Sequence, residues 1–406
     1  MNNNILTTIN NYLSKAIVFN LYLFAFGLFT SKALTSIGGG SIFIFGILQW
    51  IIIRSNLFKI FNDKILNLPI LFFVCVLFLA IIEHPDAAAF NQIQKHLLLF
   101  FFFYVAVTNL SNLKQVENLL IVASISMGIA LVYGVYQHYI LNMQRIESFS
   151  FPLAFGCLLA IFIVFLLVYV FGGKINTNYR VSLLTGVMFL GLNLLFTQSR
   201  GSWLALIGGI FTLSWLKGRK VLLFLLIVSL ISYLFLPQMY LDRFQSSFDL
   251  KKDPSNLTRI ALWKGAFSMY RDHPFNGVGL GRFSEEYQTN YQQDYPVSTS
   301  CHAHNNILQF MAEAGTFGLI GFVWLMTAII IWLYRNYQTL NNHNWRLFPL
   351  ASLCGVIVFN IQGLIEFNYG DAETLRFFWF LMSLNAAILK LNKNDIPMPE
   401  QQLSPG

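Results

Sequence analysis

Charged residues are scarce in this sequence, which limits the kind of surface that the chain can present. Only 11% of the 406 residues are Asp, Glu, Lys or Arg, whereas soluble domains average about 25%. Hydrophobic residues make up 56% of the chain, and Phe alone occurs 41 times. So few charges cannot cover a surface that faces water, so we expect most of it to face lipid. The net charge of +8 then reports membrane topology rather than a nucleic-acid partner.

Cysteines and metal-binding motifs are also rare. Three of the four cysteines, Cys75, Cys157 and Cys354, lie in apolar runs, and only Cys301 lies in a long polar segment. Cys301 therefore has no obvious disulfide partner. The sequence contains no CxxC or HExxH motif and no acidic pair with metal-ligand spacing. It predicts neither a metal site nor a cofactor.

Long apolar runs recur along the chain, and about 20 such residues are needed to cross the hydrocarbon of a bilayer. Twelve candidate spans can be counted: 16–34, 37–53, 65–83, 96–109, 118–139, 150–172, 181–197, 202–216, 221–238, 306–334, 345–365 and 374–389. Residues 1–238 would then hold nine transmembrane helices and residues 306–389 three more. The polar start, Met1 to Ser14, leads into an apolar run without a small-residue cleavage site. We therefore expect the first helix to be its own, uncleaved membrane signal.

The distribution of Lys and Arg predicts the orientation of these spans. With the N-terminus inside, the inner segments hold fourteen basic residues: Lys15, Arg54, Lys59, Lys64, Lys114, Lys174, Arg180, Lys217, Arg219, Lys220, Arg335, Arg346, Lys390 and Lys393. The short outer segments hold five: Lys32, Lys95, Arg145, Arg200 and Arg376. This excess follows the positive-inside rule. Both termini, including a tail over 390–406, are therefore expected in the cytoplasm.

The polar segment 239–305 falls on the outer side in this topology. It carries seven Lys or Arg and seven Asp or Glu, so any anion site in it must come from specific arginines. N-capping residues at 253–256 and the pair His273-Pro274 predict a helix over 253–274.

One face of this predicted helix carries Arg259, Trp263, Ala266 and Tyr270. Such a face suits a helix at the membrane surface, but it is equally typical of ordinary core from which Arg259 snorkels. The following segment, 275–281, has three alternating glycines. It could cradle a phosphate, although a plain turn explains it as well.

Polar groups flank the outer ends of several spans. Arg200 lies between two apolar runs, where an arginine snorkels to headgroups or holds an anion. His302 and His304 suit proton transfer or metal binding, but the sequence offers no third ligand beside them, and the spacing by itself favours an incidental pair. Glu313 lies inside a predicted span and is either functional or paired with an arginine. The acidic and basic residues at 366–376 read as a solvated turn unless the fold brings them to the site.

Four segments, in this order, resemble the O-antigen ligase and polymerase superfamily of bacterial envelope glycosyltransferases. They are Thr-Gln-Ser-Arg-Gly at 197–201, Arg259-x-x-x-Trp263, the segment 273–281, and His304-Asn305 followed after nine residues by Gly315-x-x-Gly318. They span about 197–318, and the other helices match only in number, length and hydropathy. One departure is the segment 145–152, a degenerate version of the pattern in relatives, which puts a donor-binding role of Arg145 in doubt.

This resemblance implies an all-α polytopic membrane protein of about twelve transmembrane helices with a GT-C-like architecture and one large periplasmic loop containing a helix. It implies a site facing the periplasm from the bacterial inner membrane. The donor would be a glycan on undecaprenyl diphosphate, and the acceptor a sugar hydroxyl, which in ligases lies on the lipid A–core. Arg200 and Arg259 would stabilise the diphosphate, and His304 would be the general base of an inverting, metal-independent transfer. Further candidates for substrate binding are Trp263, Arg145, Glu313 and His302.

Two rival functions remain open. The O-antigen polymerase belongs to the same superfamily, but the His-Asn and Gly-x-x-Gly spacing and the modest loop length favour the ligase. A transporter or lipid flippase would belong to another class. Transporters place charged residues and broken helices near the bilayer midplane, often in repeated halves. In this sequence Glu313 is nearly alone within a span, and no repeat is apparent.

Overall fold

The structure of the chain is a computed structural model that describes residues 3–53, 63–82, 84–223, 227, 237–246, 249, 252–292, 295, 297 and 301–394. Within these ranges the regular structure is helical and contains no strand. The helices are α1 (Asn3–Gly27), α2 (Lys32–Ile53), α3 (Lys64–Ile82), α4 (Ala87–Asn109), α5 (Leu113–Tyr139), α6 (Pro152–Gly172), α7 (Thr177–Phe196), α8 (Arg200–Lys217), α9 (Gln238–Gln245), α10 (Pro254–Asp272), α11 (Phe283–Asn290), α12 (Asn306–Thr339), α13 (His343–Gln362) and α14 (Ala372–Asn394). The all-α class is confirmed.

Eight of the described helices are long and apolar enough to cross a membrane: α2, α3, α5, α6, α7, α12, α13 and α14. The chain is therefore a multi-pass membrane protein, as expected. The predicted spans that correspond to α1, α4 and α8 also fall on helices. The span at 221–238 lies almost entirely outside the described residues, so the count of twelve stays a prediction.

The first predicted span, 16–34, has the wrong bounds. Helix α1 already begins at Asn3, and a turn at 28–31 separates it from α2. The polar N-terminal residues remain helical because they have a partner: Gln49 Nε2 of α2 donates to Asn10 Oδ1 at 2.8 Å and to Ser14 Oγ at 3.1 Å. Hydropathy alone could not reveal this pairing.

The long helices share one continuous apolar core, built largely from Phe, Leu, Ile and Ala. Helices α6, α8 and α13 pack against one another, and a small residue permits their close approach. A Cβ on Gly209 would lie 2.4 Å from Val358 Cγ2 and 2.9 Å from Val164 Cγ1. Small residues play this role in membrane helix packing because dispersion contacts replace the hydrophobic effect there. The three helices thus hold Arg200, the first residue of α8, in a fixed position.

The described part of the polar segment folds as a cap on one end of the bundle, with its own small core that includes Leu262, Met269 and Tyr287. The predicted helix is confirmed as α10, and Asp253 caps it by accepting a hydrogen bond from the backbone N of Asn256 at 3.1 Å. One alternative for the predicted face was that it is ordinary core, and this is correct for Ala266, which is fully buried. The buried face of α10 nevertheless includes Leu262 and Met269 rather than Trp263 and Tyr270, because α10 packs on α11 and α12.

The glycine-rich segment is a docking loop. Helix α12 kinks at Ala314 and Gly315, where the dihedral angles leave the helical region, and the loop supplies hydrogen bonds at this kink. The backbone N atoms of Val278 and Gly279 donate to the carbonyls of Ala312 and Glu313 at 2.9 and 3.1 Å. These loop amides are therefore occupied, so the turn interpretation holds and the phosphate-cradle interpretation does not.

We predict that Gly315→Ala destabilises the protein by about 1–3 kcal/mol or more. Gly315 has φ +61° and ψ −152°, a region that only glycine adopts readily, and a Cβ would lie 2.2 Å from the carbonyl oxygen of Phe275. Thermal unfolding in detergent measures the effect. The matched control is Gly128→Ala on α5, whose Cβ would meet nothing within 4 Å. Equal melting temperatures for the two variants would contradict the docking role.

Candidate active site

A cavity of about 200 Å³ opens where the cap meets the bundle. Six separate parts of the chain contribute to it: the segment that leads into α6, the start of α8, helix α9, helix α10, the segment before α12, and the end of α13 with the loop that follows it. Its lining residues are Arg145, Leu153, Gln198, Ser199, Arg200, Gly201, Arg243, Ser255, Thr258, Arg259, His304, Gln362, Ile365 and Glu366. The three residues predicted to be catalytic therefore meet at one cavity.

The guanidinium group of Arg200 is held by two residues of the cap, Asp253 and Ser246. Its Nη1 and Nη2 atoms donate to the two carboxylate oxygens of Asp253 at 3.1 and 3.0 Å, and Nη1 also donates to Ser246 Oγ at 2.9 Å. Both partners of this bidentate ion pair are nearly buried. Burial opposes the charge of Asp253, but the hydrogen bonds and charge of Arg200 hold the pKa of this carboxyl below its usual value. The pair links α8 to the N-terminus of α10.

Arg259 is anchored by only part of its guanidinium. Its Nε donates to the carbonyl of Ile365 at 3.0 Å, and its Nη1 donates to Ser255 Oγ at 3.0 Å. No carboxylate lies within ion-pair distance of it among the described residues. A buried arginine held by neutral oxygens keeps most of its charge available for an anion in the cavity.

Two further arginines line the cavity. Arg145 reaches it despite the departure of its segment from the pattern of relatives, and its Nε donates to the carbonyl of Thr197 at 3.0 Å. Sequence reasoning missed Arg243 of α9 because it looked like one of many balanced loop charges. Four arginines line the cavity. Two carboxylates lie beside them: Glu366 lines the cavity, and Asp253 pairs with Arg200. The net charge of these six side chains is therefore +2. The cavity favours an anion with about two negative charges.

Among the described residues that line the cavity, His304 is the one histidine, and Glu366 is its closest partner. His304 Nδ1 lies 3.0 and 3.1 Å from the two carboxylate oxygens of Glu366, whose side chain is 6% exposed. His304 has φ +46°, which is uncommon for a residue with a Cβ and is concentrated at functional sites. With a proton on Nδ1 donated to Glu366, the Nε2 lone pair of His304 is free to accept a proton.

His302 completes the cluster from the other side. Its Nδ1 accepts a hydrogen bond from the backbone N of His304 at 3.2 Å, and its Nε2 lies 3.6 Å from Glu366 Oε1. The sequence offers no third ligand beside the two histidines, but the fold brings one to them, because His302, His304 and Glu366 offer ligand atoms within 4.8 Å of one another. A neutral His302 ring carries its proton on Nε2, because its Nδ1 accepts from the backbone N of His304, and we assign the proton of His304 to Nδ1 from its hydrogen bond to Glu366. A cation here would have to displace those protons.

The pKa values in this cluster follow from burial and close partners. Burial, the neighbouring His304 and the charge of Arg259 lower the pKa of His302 to about 4. Burial by itself would raise the pKa of Glu366, but the hydrogen bond from His304 and the positive charges around it lower the pKa below its ordinary value. We therefore assign a carboxylate to Glu366 and a neutral ring to His302 near neutral pH.

Asparagines beside His304 bring Glu366 into the site. Asn305 caps α12 through the backbone N of Leu308 and donates from Nδ2 to the carbonyl of Leu364 at 2.9 Å. Asn306 donates to Asn368 Oδ1 at 2.8 Å and accepts from the backbone N of Tyr369 at 3.1 Å. These bonds fasten the loop after α13 onto the start of α12. Of the two alternatives for this loop, the second therefore holds for Glu366, which the fold brings to the site.

Trp263 and Glu313 do not line the cavity in the described part of the chain. Glu313 is buried in α12 and accepts a hydrogen bond from the backbone N of Phe283 at 3.3 Å. Its carboxyl group therefore lies at the N-terminus of α11, where the partial positive charge of the helix dipole favours a negative group. Trp263 is half-buried one turn beyond Arg259. Their roles as substrate-binding residues stay predictions.

Comparison with known proteins supports the motif resemblance. Residues 184–323 match the family model described as O-antigen ligase. This range contains Arg200, Arg259 and His304 but not Arg145 or Glu366. The resemblance to the O-antigen ligase superfamily is confirmed.

Individual relatives are distant. The chain is 26% identical over 288 residues to a candidate polysaccharide ligase of Rickettsia felis, covering 68% of each chain. It is 24% identical over 312 residues to the corresponding Rickettsia typhi protein, covering 74% of this chain and 73% of that one. It is also 24% identical over 147 residues to the teichuronic acid biosynthesis protein TuaE of Bacillus subtilis, covering 36% of this chain. That match spans only 29% of the length of TuaE.

We predict that His302 makes folding stability depend on pH between about 4 and 6.5. The pKa of His302 is about 4 in the folded chain, and the ordinary histidine value of 6.5 applies to the unfolded chain. As the pH falls through this window the unfolded chain binds a proton that the native chain does not, so stability falls. Thermal unfolding should therefore show a shallower pH dependence for His302→Gln than for the wild type. His273→Gln, at an exposed histidine, should match the wild type. Equal slopes for all three proteins would contradict the assignment.

Proposed function

We propose that this chain is a membrane glycosyltransferase of the polysaccharide ligase type. In this proposal it moves an O-antigen glycan from undecaprenyl diphosphate to a sugar hydroxyl of the lipid A–core. The observation that carries the proposal is a histidine–carboxylate pair, His304 and Glu366, beside a cavity lined by four arginines. A base next to an anion site is what glycosyl transfer from a diphosphate requires.

The arginines serve the leaving group. Negative charge grows on the diphosphate as its bond to the anomeric carbon breaks, and guanidinium groups stabilise this charge through bidentate contacts. Arg259 makes no close ion pair with a described carboxylate, and Arg200 is a fixed positive group held by Asp253. Such groups are more effective in a water-poor site than in bulk water. They can do the work of a metal ion, so we assign a metal-independent reaction.

His304 serves the acceptor. Its Nε2 takes the proton of the acceptor hydroxyl as the oxygen attacks the anomeric carbon, while Glu366 stabilises the imidazolium that forms. The new glycosidic bond forms as the bond to the diphosphate oxygen breaks, and the diphosphate leaves with the electron pair. A single direct displacement inverts the anomeric configuration. No carboxylate takes the role of nucleophile in this scheme, because Glu366 is engaged by both histidines.

The membrane supplies both substrates, which are lipid-linked. We assign the cavity end of the bundle to the periplasmic side of the bacterial inner membrane and both termini to the cytoplasm. The excess of Lys and Arg in the opposite loops supports this orientation. The polymerase, which extends the glycan on the same carrier, would use the same base and arginines with a different acceptor.

We predict that His304→Ala lowers the rate of glycan transfer roughly 10²–10⁴-fold, the usual contribution of a general base. Arg200→Ala and Arg259→Ala should also abolish most transfer while the proteins stay inserted and abundant. Purified variants are assayed with a lipid diphosphate donor, and immunoblots report abundance. His343→Ala, at an exposed histidine at the start of α13, serves as the control. Near-normal transfer by His304→Ala would exclude the general-base role.

Deletion of the gene separates the candidate functions. We predict loss of capped lipopolysaccharide on gels, with long glycan still attached to the carrier lipid at the outer face. Loss of long glycan from the carrier would instead identify a polymerase. Glycan trapped on the carrier at the inner face would identify a flippase. Either of these two results would refute the ligase proposal.

A further inference from the structure

Arg243 is the least satisfied of the cavity arginines. Its side chain is 30% exposed, yet its Nε atom is buried and has no hydrogen-bond partner among the described residues. A buried donor without an acceptor costs free energy, so an orphan donor in a native structure calls for an explanation. Arg243 lies in the last turn of α9, and its side chain lines the cavity. Because its side chain is partly exposed and lines the cavity, a bound anion would give the guanidinium hydrogen-bond acceptors that the described residues do not supply.

Asp253 does not satisfy Arg243. Its Oδ2 is 4.0 Å from Arg243 Nη1, which is too long for a hydrogen bond. The same carboxylate accepts from Arg200 at 3.0 and 3.1 Å and from the backbone N of Asn256 at 3.1 Å. Asp253 is thus already committed to Arg200 and to the cap of α10.

Arg145 has the same excess of positive charge around it. Burial, followed by the charge of Arg243, lowers the pKa of Arg145, and burial together with Arg200 lowers the pKa of Arg243. Arginine stays protonated in proteins, so both groups are partly desolvated positive charges that lie near other arginines. Neither side chain has a carboxylate within hydrogen-bond distance in the described part of the chain.

We propose that Arg243 binds the diphosphate of the lipid-linked donor directly, together with Arg145, and thus adds a second arginine pair to Arg200 and Arg259. This inference rests on the proposed function, which supplies the diphosphate. The ligand has two phosphoryl groups, and each can receive bidentate contacts from guanidinium groups. Two pairs therefore match the two groups, and the local charge of +2 matches the anion.

Inorganic pyrophosphate is a probe that tests binding without requiring catalysis. The full-length protein in detergent is titrated with pyrophosphate, and the dissociation constant is obtained from the rise in melting temperature. Arg243→Gln should weaken binding roughly tenfold to hundredfold, as expected for lost hydrogen bonds to a charged group. Arg243→Lys, which keeps the charge but not the planar fork, should bind with intermediate affinity. Arg271→Gln is the matched control, because Arg271 is 72% exposed and pairs with Asp272.

A second readout separates binding from a structural role. In the transfer assay Arg243→Gln should raise the KM for the donor and leave the KM for the acceptor unchanged. An unchanged pyrophosphate affinity in Arg243→Gln, or equal weakening in Arg271→Gln, would overturn the proposal. So would a wild-type protein that pyrophosphate does not stabilise. If the wild type binds pyrophosphate through Arg243 but transfers no glycan, the binding assignment stands and the proposed function fails.

Discussion

The buried carboxylate of Glu366 is the group on which the candidate site depends. A carboxylate that is 6% exposed is costly unless hydrogen bonds and positive charges compensate it. A hydrogen bond from His304 and the charge of Arg259 provide this compensation from two other parts of the chain. The arrangement also fixes which nitrogen of His304 faces the cavity. The same interaction that makes the carboxylate tolerable thus prepares a base, and the arginines beside it prepare a place for a leaving anion.

Two packing constraints hold these partners together. The loop at 273–281 docks on the kink of α12, so α10 and its Arg259 cannot move independently of the helix that His304 precedes. The asparagines at 305 and 306 fasten the loop after α13 to the same helix end. The Gly-x-x-Gly segment and the glycine-rich segment therefore act on the site indirectly. The two segments form the contact between the loop and the kinked helix, and the proposed chemistry takes place next to this contact.

Local patterns predicted much of this molecule. Apolar runs placed most of the long helices, and capping residues and a proline placed α10. The motifs singled out Arg200, Arg259 and His304, which do meet at one cavity. Glu366 and Arg243 were missed because their importance depends on contacts across the fold. Glu366 is 62 residues from His304, and its loop looked like a solvated turn. Arg243 is distinguished by a buried Nε that has no hydrogen-bond partner among the described residues, which sequence cannot show.

The central claim is a single direct displacement assisted by His304 and Glu366 at an arginine-lined cavity. The configuration of the transferred sugar tests it most directly. The purified protein is given a donor of known anomeric configuration, and NMR coupling constants report the configuration of the new glycosidic bond. A direct displacement predicts the configuration opposite to that of the donor. Retention would require a covalent glycosyl-enzyme and would contradict the account.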